Sequence, residues 1–281
     1  MTRVAAVDLG TNSTRLLIAD VYDGRLDAVH RETTITRLGE GVDERRRLLP
    51  VPIARVRRAL DEFRRTIESL GAKRTLAVAT SAVRDAENGA SFLDEVERSY
   101  GFETRLLTGD DEALMTRRGV ASGRELDAET LIVDIGGGST ELTLDDFHVS
   151  LDIGSVRLTE RFLRSDPPTR DELDAAARAA RDALPDVGPR TAIGVAGTIT
   201  TIAALAAAPL TAETIAAQLD RLAALTVAQR RELAAMDPER APVIVGGAVI
   251  LNEVARRYEL AEVEVSERDI LDGAALAAAD D

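Results

Sequence analysis

Apolar residues recur along this chain with two periods. The stretch "AAVDLGTNSTRLLIADV" (5–21) is two apolar runs separated by a turn of small and hydroxyl-bearing residues, which predicts a β-hairpin. Further on, Val56, Leu60, Phe63, Ile67 and Leu70 share one helical face, and Gly71 stands where that helix should stop. "TLAVAT" (75–80) reads as a buried strand and "SFLDEVERSYG" (91–101) as a helix capped by Ser91. "ETRLLT" (103–108) reads as another strand, and "DDEALMTRR" (110–118) as a helix whose acidic first turn suits the helix dipole.

The second half repeats the style. "LIVDIGGGSTELTLDDF" (131–147) is a second hairpin, and "TRDE" (169–172) is a capping box opening an Ala-rich helix that ends at Pro185. "AIGVAGTITT" (192–201) is a strand running into a third Gly/Thr turn, and "TVAQ" (226–229) opens a helix stopped before Pro238. "VIVGGAVILNEVARRY" (243–258) is a largely apolar helix, "EVEVS" (262–266) a last strand, and "DILDGAALAAA" (269–279) a terminal helix. The hairpins align without a gap at Val7/Val133, Asp8/Asp134, Gly10/Gly136, Ser13/Ser139, Thr14/Thr140 and Leu16/Leu142. The repeat predicts two α/β lobes, each begun by the same hairpin, with little loop between them.

Composition narrows the function classes. The 281 residues suffice for two domains, and the 45% hydrophobic share supports real cores. The absence of cysteine excludes disulfides, thiolate metal sites and a cysteine nucleophile. A formal charge of −14 argues against nucleic acid as a partner. An anionic ligand would therefore need local positive charge from backbone amides, arginines or a metal ion. No signal peptide or membrane-length apolar run is visible, which predicts a cytoplasmic protein with no membrane partner.

Glycine weakens strand interiors, so three in a row at 136–138 point to a ligand that the backbone must approach closely. Successive N–H groups and the hydroxyls of Thr11, Ser13, Ser139 and Thr140 suit phosphate. Asp8, Asp134 and Glu141 would repel phosphate without an intervening cation, which makes them candidate Mg²⁺ ligands. The alternative is that such aspartates cap the hairpin turns. His30 and His148 have no metal-ligand spacing, and neither a GxxxxGK[ST] loop nor a GxSxG elbow is present.

The paired "DLGTNST" and "DIGGGSTE" with the later "VAGTITT" resemble the sugar kinase/Hsp70/actin superfamily. Within it, "RLGEGV" (37–42), "ATSAVRDAENG" (79–89), "TGDDEA" (108–113), "GSVRLTE" (154–160) and "VSERDILDG" (265–273) resemble the exopolyphosphatase/guanosine pentaphosphate phosphohydrolase family across nearly the whole chain. The resemblance is to its short, two-domain form, without the C-terminal helical extension of longer members. It implies two actin-like (ribonuclease H-like) lobes with an interlobe cleft: 1–117 joined by a C-terminal helix over 268–281, and 118–267. The lobes are expected to close about 116–120 and near the terminal helix.

By this resemblance Glu112 is the general base, with Asp111 a departure from paired glutamates. Arg84 and Asn88 line the cleft. Phosphate-binding residues are Gly10, Thr11, Asn12, Ser13, Arg15, Arg84, Gly136, Gly137, Gly138, Ser139, Thr140, Gly197 and Thr198, the last two in a third loop or at a helix start. The implied reaction is Mg²⁺-dependent (or other divalent cation) hydrolysis of polyphosphate or guanosine pentaphosphate by a homodimer. An ATP-driven kinase or Hsp70-like module, and a sensor that binds polyphosphate or alarmone without turnover, are the alternatives.

Overall fold

The computed structural model describes residues 1–280. Residue 281, the last position of the helix expected over 268–281, lies outside the described residues. In chain order the first part of the molecule comprises β1 (Thr2–Leu9), β2 (Ser13–Tyr22), β3 (Arg25–Ile35), α1 (Val42–Arg45), α2 (Pro50–Leu70), β4 (Arg74–Ala79), α3 (Ser81–Arg84), α4 (Gly89–Tyr100), β5 (Glu103–Leu106) and α5 (Gly109–Ala121). There follow β6 (Thr130–Ile135), β7 (Thr140–Leu144), β8 (Phe147–Leu151), α6 (Ser155–Phe162), α7 (Arg170–Ala183), β9 (Thr191–Val195) and α8 (Ala196–Ala206). The chain closes with β10 (Leu210–Thr211), α9 (Ala212–Ala223), α10 (Val227–Arg231), α11 (Ile244–Arg257), β11 (Glu262–Val265) and α12 (Ile270–Asp280).

Two compact units divide the chain. The first takes Met1–Glu125 and the chain from Arg268 onward, the second Leu126–Glu267. A division at 117/118 would cut α5, whose last turns pack with α12, so helix continuity carries the first unit on to Glu125. Each unit is a ribonuclease H-like, or actin-like, fold. In the first the strand order is β3-β2-β1-β4-β5, with β1, β2 and β3 antiparallel and β1, β4 and β5 parallel. In the second the order β8-β7-β6-β9-β11 repeats that scheme, and β10 extends the edge beside β11.

Central strands with apolar residues on both faces explain why β1 reads as a continuous apolar run. Ala5, Val7 and Leu9 join one core with α2 and α4, while Val4 and Ala6 join another with α12. Helix α2 obeys its sequence signals: Val56, Leu60, Phe63 and Ile67 are buried, and Gly71 caps it in the left-handed region at φ 72°. Helix α4 begins at Gly89 after Asn88, so Ser91 lies inside the helix and does not cap it. The helix opened by "TVAQ" keeps its capping box but stops at Arg231, well short of Pro238.

In the first unit α5 and α12 touch backbone to backbone. A side chain at Gly119 would overlap the Asp269 carbonyl, and one at Gly273 the Met115 carbonyl. The pair of glycines thus seats the start of α12 against the helix that carries Glu112. No helix among the described residues is long and apolar enough to cross a membrane.

Candidate functional site

In the first unit the β1–β2 turn is held by its carbonyls. Gly10 N–H donates to Ser13 O at 3.0 Å, Gly39 N–H to Thr11 O at 2.8 Å, and Thr36 and Arg37 N–H to Asn12 O at 3.1 and 2.9 Å. The "RLGEGV" segment is therefore the clamp of this turn. The amides of Thr11 and Asn12 meet no protein acceptor among the described residues. Both polar atoms of the Asn12 side chain are buried without a hydrogen bond, as is Asp8 Oδ1. Buried polar atoms without partners are costly unless a ligand, ion or water completes them. The Thr11 and Ser81 hydroxyls lie 2.8 Å apart, tying the turn to α3, and Ser13 is half-buried at the head of β2.

Arg15 does something other than bind phosphate. It pairs across the ladder with Asp8, and its Nε and Nη2 both reach Asp8 Oδ2 at 2.8 Å. Its Nη1 donates to Asp269 Oδ2. Held between two carboxylates, with its side chain only 14% exposed, this guanidinium has its charge already matched. Burial works to lower its pKa, but Asp269 and Asp8 more than offset that and hold it above the ordinary arginine value. Burial pushes the Asp8 carboxyl upward, and Arg15 pulls the other way.

Asp111 and Glu112, neighbours in sequence, separate into different roles. Asp111 forms a capping box with Thr108: the Thr108 hydroxyl donates to Asp111 Oδ2 at 2.6 Å, and Asp111 N–H donates to Thr108 Oγ1 at 3.1 Å. The Thr108 hydroxyl holds the Asp111 carboxyl below the ordinary aspartate range. Glu112, on the next residue of the turn, is buried and accepts from Arg84 Nη1 at 3.1 Å. The same Nη1 donates to Leu107 O at 2.9 Å, which anchors the arginine. Arg84 Nε and Nη2 make no protein contact among the described residues. The Asn88 side chain is engaged at both ends with the Leu48 backbone, at 2.8 and 3.1 Å, and serves structure.

In the second unit the β6–β7 turn closes by Gly136 N–H to Ser139 O at 3.0 Å. Gly136 O accepts from Ser155 N–H, and Gly137 O from Val156 and Arg157 N–H, so the start of α6 takes this turn's carbonyls. Gly154 makes the contact possible, because a side chain there would overlap the Gly137 and Gly138 backbone. The amides of Gly137 and Gly138 meet no protein acceptor among the described residues. This is the same arrangement as in the first hairpin, reached with different clamps. Ser139 is buried beside them. Thr140 differs from expectation: its hydroxyl donates to Ile153 O at 2.7 Å and is not a phosphate donor.

Asp134 and Glu141 face each other as ladder partners, both buried. Ser150 Oγ donates to Glu141 Oε1 at 2.7 Å. Among the described residues no three carboxylates or histidines come together as a metal site, so Asp8, Asp134 and Glu141 do not form a three-carboxylate cage. Mg²⁺ commonly takes only one or two carboxylates and completes its shell with phosphate oxygens and water. The unpartnered Asp8 Oδ1 and the opposed Asp134–Glu141 pair suit that mode, hairpin by hairpin.

The "VAGTIT" segment is a helix start. Strand β9 runs directly into α8 through Ala196, a non-glycine residue in the left-handed region at φ 66°. Gly197 lies against the Arg240 guanidinium, and Thr198 packs on Gly247 of α11. Sequence reasoning gave no role to Ser81, Gly154 or Asp269, although each lies in a segment that carried the family resemblance. The signal was the segment as a whole; the partner of each residue becomes visible only in the fold.

The model of the Ppx/GppA phosphatase family matches residues 17–279. The chain is 43% identical to Exopolyphosphatase 2 of Mycobacterium tuberculosis, with 99% of each sequence covered. It superimposes on the crystal structure of an exopolyphosphatase-like protein with a TM-score of 0.90, 35% identity and 97% of each chain covered. The Aquifex aeolicus Ppx/GppA family member superimposes with a TM-score of 0.79 and 30% identity, covering 98% of this chain and 97% of that one.

Proposed function

This chain belongs to the Ppx/GppA phosphatase family, and from that premise we propose that it is an exopolyphosphatase. It hydrolyses the terminal phosphoanhydride of inorganic polyphosphate and releases orthophosphate. The observation that carries the reading is the buried Glu112 held by Arg84, in a protein whose two hairpin turns present amides without protein acceptors. Glu112 polarises a water for attack on the end phosphorus. Arg84, anchored by Nη1, offers Nε and Nη2 to the phosphoryl oxygens. The amides of Thr11, Asn12, Gly137 and Gly138 stabilise charge that grows on the phosphate chain. Asp8 in the first hairpin, and Asp134 with Glu141 in the second, would offer carboxylate oxygens to Mg²⁺, which when bound neutralises phosphate oxygens beside them. A homodimer is proposed on the family resemblance alone and a cytoplasmic location on the sequence pattern; light scattering and cell fractionation test them.

The test is phosphate release with Mg²⁺ from short polyphosphate, long polyphosphate, guanosine pentaphosphate and ATP. Release from polyphosphate is expected to dominate. Release from guanosine pentaphosphate alone would move the reaction to alarmone hydrolysis with the same residues. Binding of polyphosphate without release from any substrate would make the protein a sensor.

A further inference from the structure

The two carboxylates that meet Arg15 are used differently. Asp8 gives it Oδ2 alone, and Oδ1 stays buried with no hydrogen bond. Asp269, just before α12, takes the guanidinium on Oδ2, while its Oδ1 accepts Leu271 N–H at 2.9 Å and caps the helix. An arginine fork facing a single carboxylate tends to engage both of its oxygens in parallel. Here the second acceptor draws Nη1 aside.

Asp269 is itself fixed. Its N–H donates to Asp272 Oδ2 at 3.0 Å. Arg31 donates to both oxygens of Asp272 at 2.9 Å, and Gly119 of α5 lies against the Asp269 carbonyl.

We propose that Asp269 is a positioning residue acting through Arg15 on Asp8. It holds the guanidinium off Asp8 Oδ1 and so keeps that oxygen for a divalent cation. The proposal rests on the reading of Asp8 as a cation ligand in the exopolyphosphatase. In physical terms, removing the Asp269 acceptor lets Arg15 close on both Asp8 oxygens, and a cation must then displace a charge-assisted hydrogen bond before it can bind.

The experiment is a Mn²⁺ titration without substrate, followed by water-proton relaxation, on wild type, Asp269→Asn, Asp269→Ser and Asp272→Asn. Asparagine and serine both retain a capping oxygen for Leu271 N–H, and neither supplies a carboxylate to Arg15. Mn²⁺ affinity is expected to fall about tenfold in both Asp269 variants, the cost of breaking one such bond. Asp272→Asn loosens Arg31 and part of the support of Asp269 but leaves the Asp269 carboxylate for Arg15, so it lowers the melting temperature and is expected to cost less Mn²⁺ affinity than either Asp269 variant. Wild-type affinity in whichever Asp269 variant folds, or no Mn²⁺ binding by wild type, overturns the proposal. Phosphate release from polyphosphate is read separately on the same preparations. A Mn²⁺ shift in a protein that releases no phosphate keeps the clamp and removes the exopolyphosphatase reading; release with unshifted affinity does the reverse.

Discussion

Asp8 faces Arg15 across the first hairpin, while Asp134 faces Glu141 across the second. Backbones repeat in the two units, and so do turn amides that meet no protein acceptor among the described residues, although one turn is clamped by the 36–39 segment and the other by the start of α6. The partner across the ladder does not repeat. In the first hairpin the aspartate is paired with an arginine; in the second, both ladder positions are acidic, and Glu141 takes the Ser150 hydroxyl. The duplicated fold therefore repeats the turns, while one ladder position decides how much negative charge each hairpin carries.

Substitutions at that position should differ in their cost to stability. Arg15→Met leaves Asp8 and Asp269 buried without their shared cation and is expected to cost roughly 3–5 kcal/mol in denaturant unfolding. Glu141→Gln keeps an acceptor for the Ser150 hydroxyl and is expected to change the melting temperature less than Arg15→Met does. It should also lower phosphate release at fixed Mg²⁺ by about a hundredfold, with partial recovery at higher Mg²⁺. Equal losses in the two unfolding experiments would mean that the electrostatic difference between the hairpins has no energetic consequence.

A smaller effect concerns pH. Burial raises the carboxyls of Asp8 and Asp272 above the ordinary aspartate value. The folded chain then binds more protons there than the unfolded one, so these two groups lower stability as pH rises above that value. Capping carboxylates behave in the reverse sense. Asp111 is held low by the Thr108 hydroxyl and Glu172 by the Thr169 backbone, so their contribution is present above the unfolded carboxylate range and is lost as pH falls through the lowered values. Melting temperatures across the acid range should show the first component diminish in Asp272→Asn, where Asp8 remains, and the second diminish in Asp111→Asn, where Glu172 remains.

What the sequence revealed follows from what each strand must do. Strands β1 and β6 are buried in the sheet interior and announce themselves as apolar runs. β3 is an edge strand whose residues are mostly exposed or half-exposed, so it carries no apolar period, and the two hairpins proved to be three-stranded meanders. Acidic helix starts were visible, but only packing shows that Asp111 caps α5 while Glu112 turns inward to Arg84. Arg15 reads as a free cation beside a phosphate loop because its second partner, Asp269, lies 254 positions away. Thr140 carries a hydroxyl suited to phosphate, but the fold engages it with the Ile153 carbonyl, a partner the pattern does not reveal.

The central claim is that Glu112 activates the attacking water, and phosphate release from polyphosphate by Glu112→Gln tests it most directly. The amide keeps the size of the side chain and an oxygen for Arg84 while removing the base. With circular dichroism and melting unchanged, release is expected to fall by about 10²–10⁴-fold, the usual contribution of a positioned base. Wild-type turnover in this variant would contradict the account and return Glu112 to the role of Arg84's structural partner.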